Sequence, residues 1–196
     1  MTSKNINDYF IKSSSVILKI AEDLPVIQDM ARIIYKSQLD GNKLLVAGNG
    51  GSCADAQHFV GEMTCTFLDR ARRPFSAISL TTNTSSITAW SNDFEYKTYI
   101  ARQVEALGKT GDVLFLLSTS GGNKEKGTSM NVVLAAEKAK AMGIKVFALT
   151  GEGGGELARV ADACIKIKSN LTSHIQEGHI SVIHAICMQL EYFCQQ

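Results

Sequence analysis

Two residues suited to acid–base or metal chemistry stand four positions apart, at His58 and Glu62, shortly after a glycine-rich run at residues 48–52. On a helix this spacing puts both side chains on one face, about one turn apart. There a carboxylate and an imidazole can share a proton, a substrate or a metal ion. Either residue alone is more typical of an ordinary surface or core, so the pair by itself leaves the function open.

A second polar pair lies near the end of the chain, where Gln176 and His184 are eight residues apart. At about 100° per residue they are about 80° apart around a helix, so both can serve one side. His184 stands among apolar residues, at positions 182, 183, 185 and 186, and an imidazole in such surroundings needs a polar partner. The other histidines of this segment, His174 and His179, are expected at the surface or at a subunit interface.

Two loops carry groups that suit a phosphate. Ser52 is predicted to be the N-cap of the helix after the glycine run, and the free N–H groups and positive dipole end of that helix would cradle an anion. Three hydroxyls in a row, at Ser118, Thr119 and Ser120, can donate hydrogen bonds to phosphate oxygens without adding charge. An ordinary Ser/Thr/Gly turn is the alternative for this second loop.

An α/β fold must position these groups, because short apolar runs alternate with helical patterns along the chain. Strands are predicted at 43–47, 75–80, 112–117, 144–149 and 162–167, the last at an edge. They are expected to form a five-stranded parallel sheet flanked by helices, a flavodoxin-like three-layer sandwich, with both polar loops at the carboxyl ends of strands. Two amphipathic helices over residues 5–40, separated at Pro25, are expected to complete an oligomer interface.

The composition favours one globular domain over residues 1–196, with helical arms at 1–40 and an α/β core at 41–196. The chain is 45% hydrophobic, and its net charge of +1 predicts no binding to nucleic acid or acidic membranes. No apolar run approaches the roughly 20 residues of a membrane span, and residues 1–8 lack a signal-peptide core, so a cytoplasmic location is expected. The five cysteines show no Cys-x-x-Cys spacing and are expected to be free, mostly buried thiols.

Two common phosphate motifs are incomplete in this sequence. The run beginning at Gly48 starts like the dinucleotide fingerprint G-x-G-x-x-G, but Cys53 occupies the place of its third glycine. Residues 108–110 resemble the end of a P-loop, yet Gln103 stands where the first glycine belongs and a helical pattern precedes them. Neither dinucleotide binding nor a P-loop is therefore predicted.

The motifs together resemble those of the sugar isomerase (SIS) domain family, and specifically of the bacterial phosphoheptose isomerases. The resemblance covers nearly the whole chain and rests on Gly48-Asn49-Gly50-Gly51-Ser52, Ala54-Asp55-Ala56-Gln57-His58-Phe59 with Glu62, Ser91-Asn92-Asp93, Ser118-Thr119-Ser120-Gly121, and Gln176-Glu177 with His184. It implies an aldose–ketose isomerase that converts sedoheptulose 7-phosphate to D-glycero-D-manno-heptose 7-phosphate through an enediol, the first step of ADP-heptose synthesis for the lipopolysaccharide core.

The resemblance also implies roles for individual residues. Glu62 is assigned as base and His184 as acid, with the reverse assignment left open. A zinc ion is implied at His58, Glu62, Gln176 and His184, and since glutamine is an unusual zinc ligand, the ion would be weakly held. Substrate contacts are implied for Asn49, Gly50, Gly51, Ser52, Glu62, Asn92, Asp93, Ser118, Thr119, Ser120, Ser129 and Gln176. A homotetramer is implied as well, with sites near subunit boundaries.

The sequence departs from the family pattern at two places. The family's Ser-Thr-Ser-Gly-Asn-Ser is interrupted here by residues 122–128, which makes Ser129 the counterpart of the last serine and leaves Lys124 or Lys126 as alternative phosphate contacts. Ser173 and His174 replace a common Asp-Arg pair. The other hypothesis is a non-catalytic SIS module such as those that associate with the replication initiator. Such modules typically lack the acid at Glu62 and the histidine at His184, so this chain favours an enzyme.

Overall fold

A computed structural model describes residues 5–196 as a parallel sheet covered by helices on both faces. The strands are β1 (Leu44–Gly48), β2 (Ala77–Ser79), β3 (Val113–Ser118), β4 (Lys145–Gly151) and β5 (Ala163–Ile167), in the order β2-β1-β3-β4-β5. The helices are α1 (Ile6–Lys19), α2 (Leu24–Leu39), α3 (Gly51–Thr64), α4 (Thr84–Asp93), α5 (Tyr96–Leu107), α6 (Met130–Ala141), α7 (Leu157–Val160) and α8 (Thr172–Cys194). The predicted fold class is confirmed. Residues 1–4, which belong to the predicted domain 1–196 and to the argument about a signal peptide, lie outside the described residues.

The strands are apolar throughout because both faces of the sheet are covered. Successive strand residues point to opposite faces, so Leu44 and Val46 join one core while Leu45 and Ala47 join the other. The first core is closed by α2, α3 and α8, and the second by α5, α6 and α7. These two cores fix the helices that carry the polar residues of interest against one rigid sheet.

The chain order reverses between β1 and β3, which lie side by side at the centre of the sheet. Loops that leave the carboxyl ends of two such strands diverge to opposite faces and leave a crevice between them. The glycine loop follows β1 and the hydroxyl loop follows β3. The topology therefore brings the two polar loops to one crevice, as the strand pattern predicted.

The N-terminal segment forms the two helices expected on either side of Pro25. α1 ends at Lys19, a 3-10 turn spans Ile20–Asp23, and Pro25 lies in the first turn of α2, where its missing N–H costs nothing. α1 packs on α8, whose Glu177 accepts hydrogen bonds from the hydroxyls of Tyr9 and Ser13. Within residues 5–196 no helix is long and apolar enough to cross a bilayer.

Two local predictions about helix ends are wrong. Ser52 does not cap α3, because the cap position is Gly50 (φ 53°) and Ser52 lies buried in the first turn. The positive φ of Gly50 starts the helix early, and a Cβ at Gly48 would lie 2.5 Å from the Ser52 carbonyl oxygen, so the turn is too tight for another residue type. The second prediction concerns Ser91-Asn92-Asp93, a polar sequence that predicts a helix break; these residues instead form the last turn of α4.

Two predictions about burial also fail. His174 and His179, expected at the surface or an interface, are 5% and 0% exposed within this chain. The cysteines are free, but they are not mostly buried: Cys187 is buried, Cys65 is exposed, and the other three are half-buried. Both errors come from judging residues by type, although helical position decides which side chains face the sheet.

Candidate active site

Three side chains from two helices converge beside the crevice. His58 and Glu62 lie one turn apart on α3, and His184 reaches them from α8. The Nε2 atom of His58 is 3.0 Å from Oε1 of Glu62 and 3.3 Å from Nε2 of His184. One ligand atom from each residue lies within 4.8 Å of the others. The polar partner that the apolar neighbours of His184 required is therefore supplied by α3.

The surroundings of His184 are apolar on the side away from His58. The ring of Phe67 stacks on the His184 imidazole with centroids 5.5 Å apart. One turn along α8, burial first and the charge of Glu62 second raise the pKa of the Cys187 thiol to about 12. Cys187 is therefore a neutral thiol at physiological pH. The three converging residues His58, Glu62 and His184, called the triad below, lie at the edge of the apolar core.

The spacing of the triad fits a tetrahedral metal ion. Two nitrogens bound to zinc at about 2.0–2.1 Å in a tetrahedral arrangement are about 3.3 Å apart, which is the distance between the two Nε2 atoms. At least one of two such facing imidazoles must present a lone pair to the other ring or to a cation. Two imidazoles and a carboxylate are also ordinary zinc ligands, so the residues fit the ion that the sequence implied.

Gln176 joins this site through the glycine loop. A Cβ at Gly51 would lie 2.3 Å from the Gln176 Nε2 atom, so the glutamine amide rests directly on the start of α3. The first N–H groups of any helix lack acceptors within it, and those of Gly51 and Ser52 lie at this point. The start of α3 and the start of α8 are thus brought together at the carboxyl end of β1.

Asn49 is held by two residues that sequence reasoning missed. Its side-chain amide exchanges two hydrogen bonds with Asn131 of α6, at 2.9 and 2.7 Å, and its Oδ1 accepts a third from the Tyr96 hydroxyl at 2.8 Å. Burial is the main cause that raises the pKa of Tyr96, which remains a donor at neutral pH. The contact ties the glycine loop to the start of α6. The available signal was an asparagine at the start of α6, directly before the apolar run at residues 132–136.

The hydroxyl loop gathers three of its predicted residues. Ser118 is buried and accepts a hydrogen bond from the Gly121 N–H at 3.1 Å, which leaves its own proton free to donate. Ser120 lies 3.2 Å from the hydroxyl of Ser129. Ser129 has φ 53°, a left-handed conformation that is unusual for serine. The chain thus places Ser129 beside Ser120 despite the seven intervening residues 122–128.

The inserted residues 122–128 form a small excursion away from Ser120. Asn123 and Thr128 pair across it in an antiparallel bridge, and Lys124 and Lys126 at its tip are exposed. Asn92 and Asp93 are also exposed at the end of α4, where the Asn92 amide donates to Asp93 at 2.9 Å. Among the hydrogen bonds of residues 5–196, none links these four side chains to the triad or to the hydroxyl loop.

The doubly covered parallel sheet, the glycine loop after its first strand and the polar crevice define a SIS domain. The family model described as "SIS domain" matches residues 8–151, and the chain belongs to that family. Within it, the chain is similar to the phosphoheptose isomerases. It is 53% identical over 151 residues to a "Probable phosphoheptose isomerase" of Thermoplasma acidophilum, which covers 77% of this chain and 79% of that one.

Longer alignments agree with this placement. The phosphoheptose isomerase of Shewanella oneidensis is 41% identical over 192 residues, covering 96% of this chain and 94% of its own. The solved structure of a phosphoheptose isomerase from Francisella tularensis superimposes with a TM-score of 0.88 at 33% identity, covering 97% of each chain. The protein is accordingly an enzyme, an aldose–ketose isomerase that acts on a sugar phosphate.

Proposed function

We propose that the protein converts sedoheptulose 7-phosphate to D-glycero-D-manno-heptose 7-phosphate through an enediol. The observation that carries the proposal is the convergence of Glu62 and His184 at one crevice. The hydroxyl loop lies at the end of the neighbouring strand β3. On the enediol route, a carbonyl moves from C2 to C1 when one group moves a proton between the carbons and another serves the oxygens. The carboxylate of Glu62 on α3 and the imidazole of His184 on the neighbouring helix α8 supply these two functions.

The proposed steps assign Glu62 to carbon and His184 to oxygen. Glu62 takes the proton from C1 of the ketose while His184 donates a proton to O2, which gives the enediol. His184 then takes the proton from O1, and protonated Glu62 returns its proton to C2, which leaves the aldehyde at C1. Each residue ends in the protonation state in which it began, so the cycle needs no other acid or base.

A zinc ion is part of the proposal. His58, Glu62, Gln176 and His184 would hold it, and when bound it would supply positive charge near the reacting oxygens. Glutamine is a weak ligand beside two imidazoles and a carboxylate, so we expect zinc to be lost readily to chelators. Elemental analysis of the purified protein, followed by assay of chelated and zinc-reloaded samples, tests this. Full activity in the metal-free sample would reject a catalytic ion.

The rest of the substrate is proposed to lie across the crevice. Ser118, Thr119, Ser120 and Ser129 would hold the phosphate, because neutral hydroxyl donors and free loop N–H groups suit a dianion. The residues proposed for the sugar are Asn49, Gly50, Gly51, Ser52, Asn92, Asp93 and Gln176. Since the side chain of Asn49 is already bonded to Asn131 and Tyr96, we expect its contribution to come from the backbone of the glycine loop.

Assembly and cellular role complete the proposal. α1 leaves apolar side chains exposed, among them Ile6 (73%), Phe10 (65%) and Leu18 (75%), and a helix with an uncovered apolar side is suited to subunit contacts. We propose a homotetramer in the cytoplasm that serves heptose synthesis for the lipopolysaccharide core. Light scattering tests the assembly, and a monomer would contradict it.

The decisive experiment is a direct assay with several sugar phosphates. We expect turnover of sedoheptulose 7-phosphate and slower turnover of shorter ketose phosphates, because the two strand-end loops set a fixed distance between phosphate and reacting carbons. Product is identified in NMR spectra by the anomeric protons of its cyclic forms. Preference for another sugar phosphate would reject the proposed substrate while leaving the isomerase class intact.

A further inference from the structure

The loop at residues 65–73, between α3 and β2, is held by one buried carboxylate on α8. Glu191 is 5% exposed and accepts hydrogen bonds from the backbone N–H groups of Phe67 at 3.2 Å, Leu68 at 3.1 Å and Asp69 at 3.0 Å. Three consecutive N–H groups around one carboxylate form an anion-binding turn. The loop is therefore fixed to α8 by the protein's own charge.

Arg72 completes the arrangement and reaches the triad. Its Nε atom donates to Glu191 at 3.0 Å, and the two side chains are 2% and 6% exposed. Its Nη1 donates to the Met63 carbonyl at 3.1 Å and its Nη2 to the carbonyl of Glu62. The last carbonyls of a helix lack partners within it. Arg72 thus caps the end of α3 at the residue assigned as base.

The same carboxylate also fixes a neighbour of His184. Phe67, whose N–H is bound by Glu191, stacks its ring on the His184 imidazole. Glu191 follows His184 by seven residues, which is two turns along the same face of α8. One ion pair therefore contacts the backbone of Glu62 on one side and, on the other, the backbone N–H of Phe67, whose ring stacks on His184.

We propose that Arg72 and Glu191 are positioning residues that set the separation of Glu62 from His184. The inference rests on the proposed role of the triad. Among the hydrogen bonds and ion pairs of residues 5–196, α3 and α8 are joined directly by the contact between His58 and His184. The guanidinium links Glu62 to Glu191 through a rigid planar fork. Neither residue touches the reacting atoms, so both act through Glu62, His58 and His184.

The test compares this ion pair with a second buried pair at the other end of the sheet. Asp112 is 0% exposed and accepts hydrogen bonds from the Lys43 N–H, from Lys43 Nζ at 2.6 Å and from the Lys109 N–H. Asp112→Asn is the matched control, because it also removes one charge from a buried pair. Glu191→Gln and Arg72→Lys are the test variants: the first removes the charge and one acceptor oxygen at nearly constant size, and the second keeps the charge but removes the planar fork.

We expect both test variants to lose zinc affinity by about tenfold, as measured by titration against a competing chelator. We expect kcat to fall by a similar factor, with KM within twofold of the parent, because the phosphate loop is untouched. Hydrogen exchange at residues 61–64 should quicken in both test variants. Asp112→Asn should lower Tm at least as much while zinc affinity, kcat and exchange at residues 61–64 stay at parental values.

Zinc affinity and kcat within twofold of the parent in both test variants, with Tm lowered as in the control, would overturn the proposal and leave a structural ion pair. If the parent binds no zinc, the metal site of the proposed function fails, and the split between kcat and KM with the exchange data still decides the positioning role. If the parent does not turn over heptose phosphate, zinc affinity and exchange decide it. Arg72→Lys keeps the test open if Glu191→Gln does not fold.

Discussion

The two ends of the sheet both collect polar groups, and they use them in opposite ways. At the amino end, a groove of about 470 Å³ is lined by residues such as Asp112, Ser37 and Asp162. Their side chains are bonded internally: Asp112 takes three donors, Ser37 donates to the Gly111 carbonyl, and Asp162 binds Lys140 and the Val146 N–H. A ligand there would have to displace bonds that stabilise the fold.

At the carboxyl end, the polar groups converge on one another, with His58 Nε2 at 3.0 Å from Glu62 Oε1 and at 3.3 Å from His184 Nε2. The triad presents two imidazoles and a carboxylate within 4.8 Å, and the start of α3 presents N–H groups that have no helical acceptor. A substrate or an ion at this end would replace contacts among the triad's own side chains, whereas a ligand at the amino end would displace bonds to the backbone of several strands and loops. A cavity alone therefore does not mark function in this protein, whereas convergent groups with spare hydrogen-bonding capacity do.

The largest effect on turnover is expected from a substitution of the proposed base at the carboxyl end of the sheet. Glu62→Gln removes the proposed base but keeps the side-chain shape, so turnover should fall about 10²–10⁴-fold. Because Glu62 is at the rim of the core and half-exposed, we expect the free energy of unfolding to change by about 0.5 kcal/mol or less. Kinetic assay and urea unfolding measure the two quantities. Undiminished turnover would remove Glu62 from its assigned role.

The second prediction is the reciprocal change at the amino end. Asp112→Ala leaves the Lys43 ammonium, 18% exposed, and two backbone N–H groups without their acceptor, so the free energy of unfolding should fall by about 3 kcal/mol. Turnover per folded molecule should stay at the parental value, because the site lies at the opposite end of the strands. Loss of turnover without loss of stability would contradict the division of the sheet into a structural and a functional end.

The features of the two ends of the sheet that depend on hydrophobic or helical periodicity could be predicted from the sequence. Alternating apolar runs predicted the parallel sheet, and the spacing of four between His58 and Glu62 predicted their common helix face. The roles proposed for individual residues remain predictions. The conformations of turns were harder to predict from the sequence. The position of Gly50 as the cap of α3 depends on how closely Ser52 packs on Gly48, and no local sequence pattern encodes that contact.

Contacts between distant segments were beyond the sequence altogether. Arg72 and Glu191 are 119 residues apart, and Asn49 and Asn131 are 82 apart, with no repeat that relates them. The burial of His179 differs, because a signal for it was present. His179 follows Ile175 by four residues and precedes Val182 by three, so helical spacing puts it on the apolar face of α8, but its residue type suggested the surface.

His179 supplies the third prediction, from a fully buried position on α8 beside the backbone of Thr150 in β4. Burial lowers the pKa of His179 from 6.5 to about 4. Between these values the unfolded chain binds a proton that the folded chain does not, so the free energy of unfolding falls as pH drops from 6.5 toward 4, by up to about 3 kcal/mol. Urea unfolding of the parent and of His179→Leu at pH 7 and pH 4.5 measures this term.

We expect His179→Leu to lose less stability over that interval than the parent, because leucine has no proton to bind. Equal losses in both proteins would show that other groups carry the acid sensitivity. Turnover at pH 7 should be retained, since His179 is buried away from the crevice and neutral in the parent. This result would show that the buried His179 affects stability only, in contrast to the roles proposed for His58 and His184.

The smallest expected effect concerns strain at the functional end. Ser129 adopts φ 53°, which costs a serine about 1 kcal/mol relative to glycine. Ser129→Gly should therefore raise the free energy of unfolding by about 0.5–1 kcal/mol, while the loss of a proposed phosphate donor raises KM. Ser129→Ala removes the same hydroxyl and keeps the strain, so it should raise KM equally without the gain in stability. Equal stability in the two variants would mean that the left-handed turn is unstrained, and an unchanged KM in both would remove Ser129 from the phosphate site.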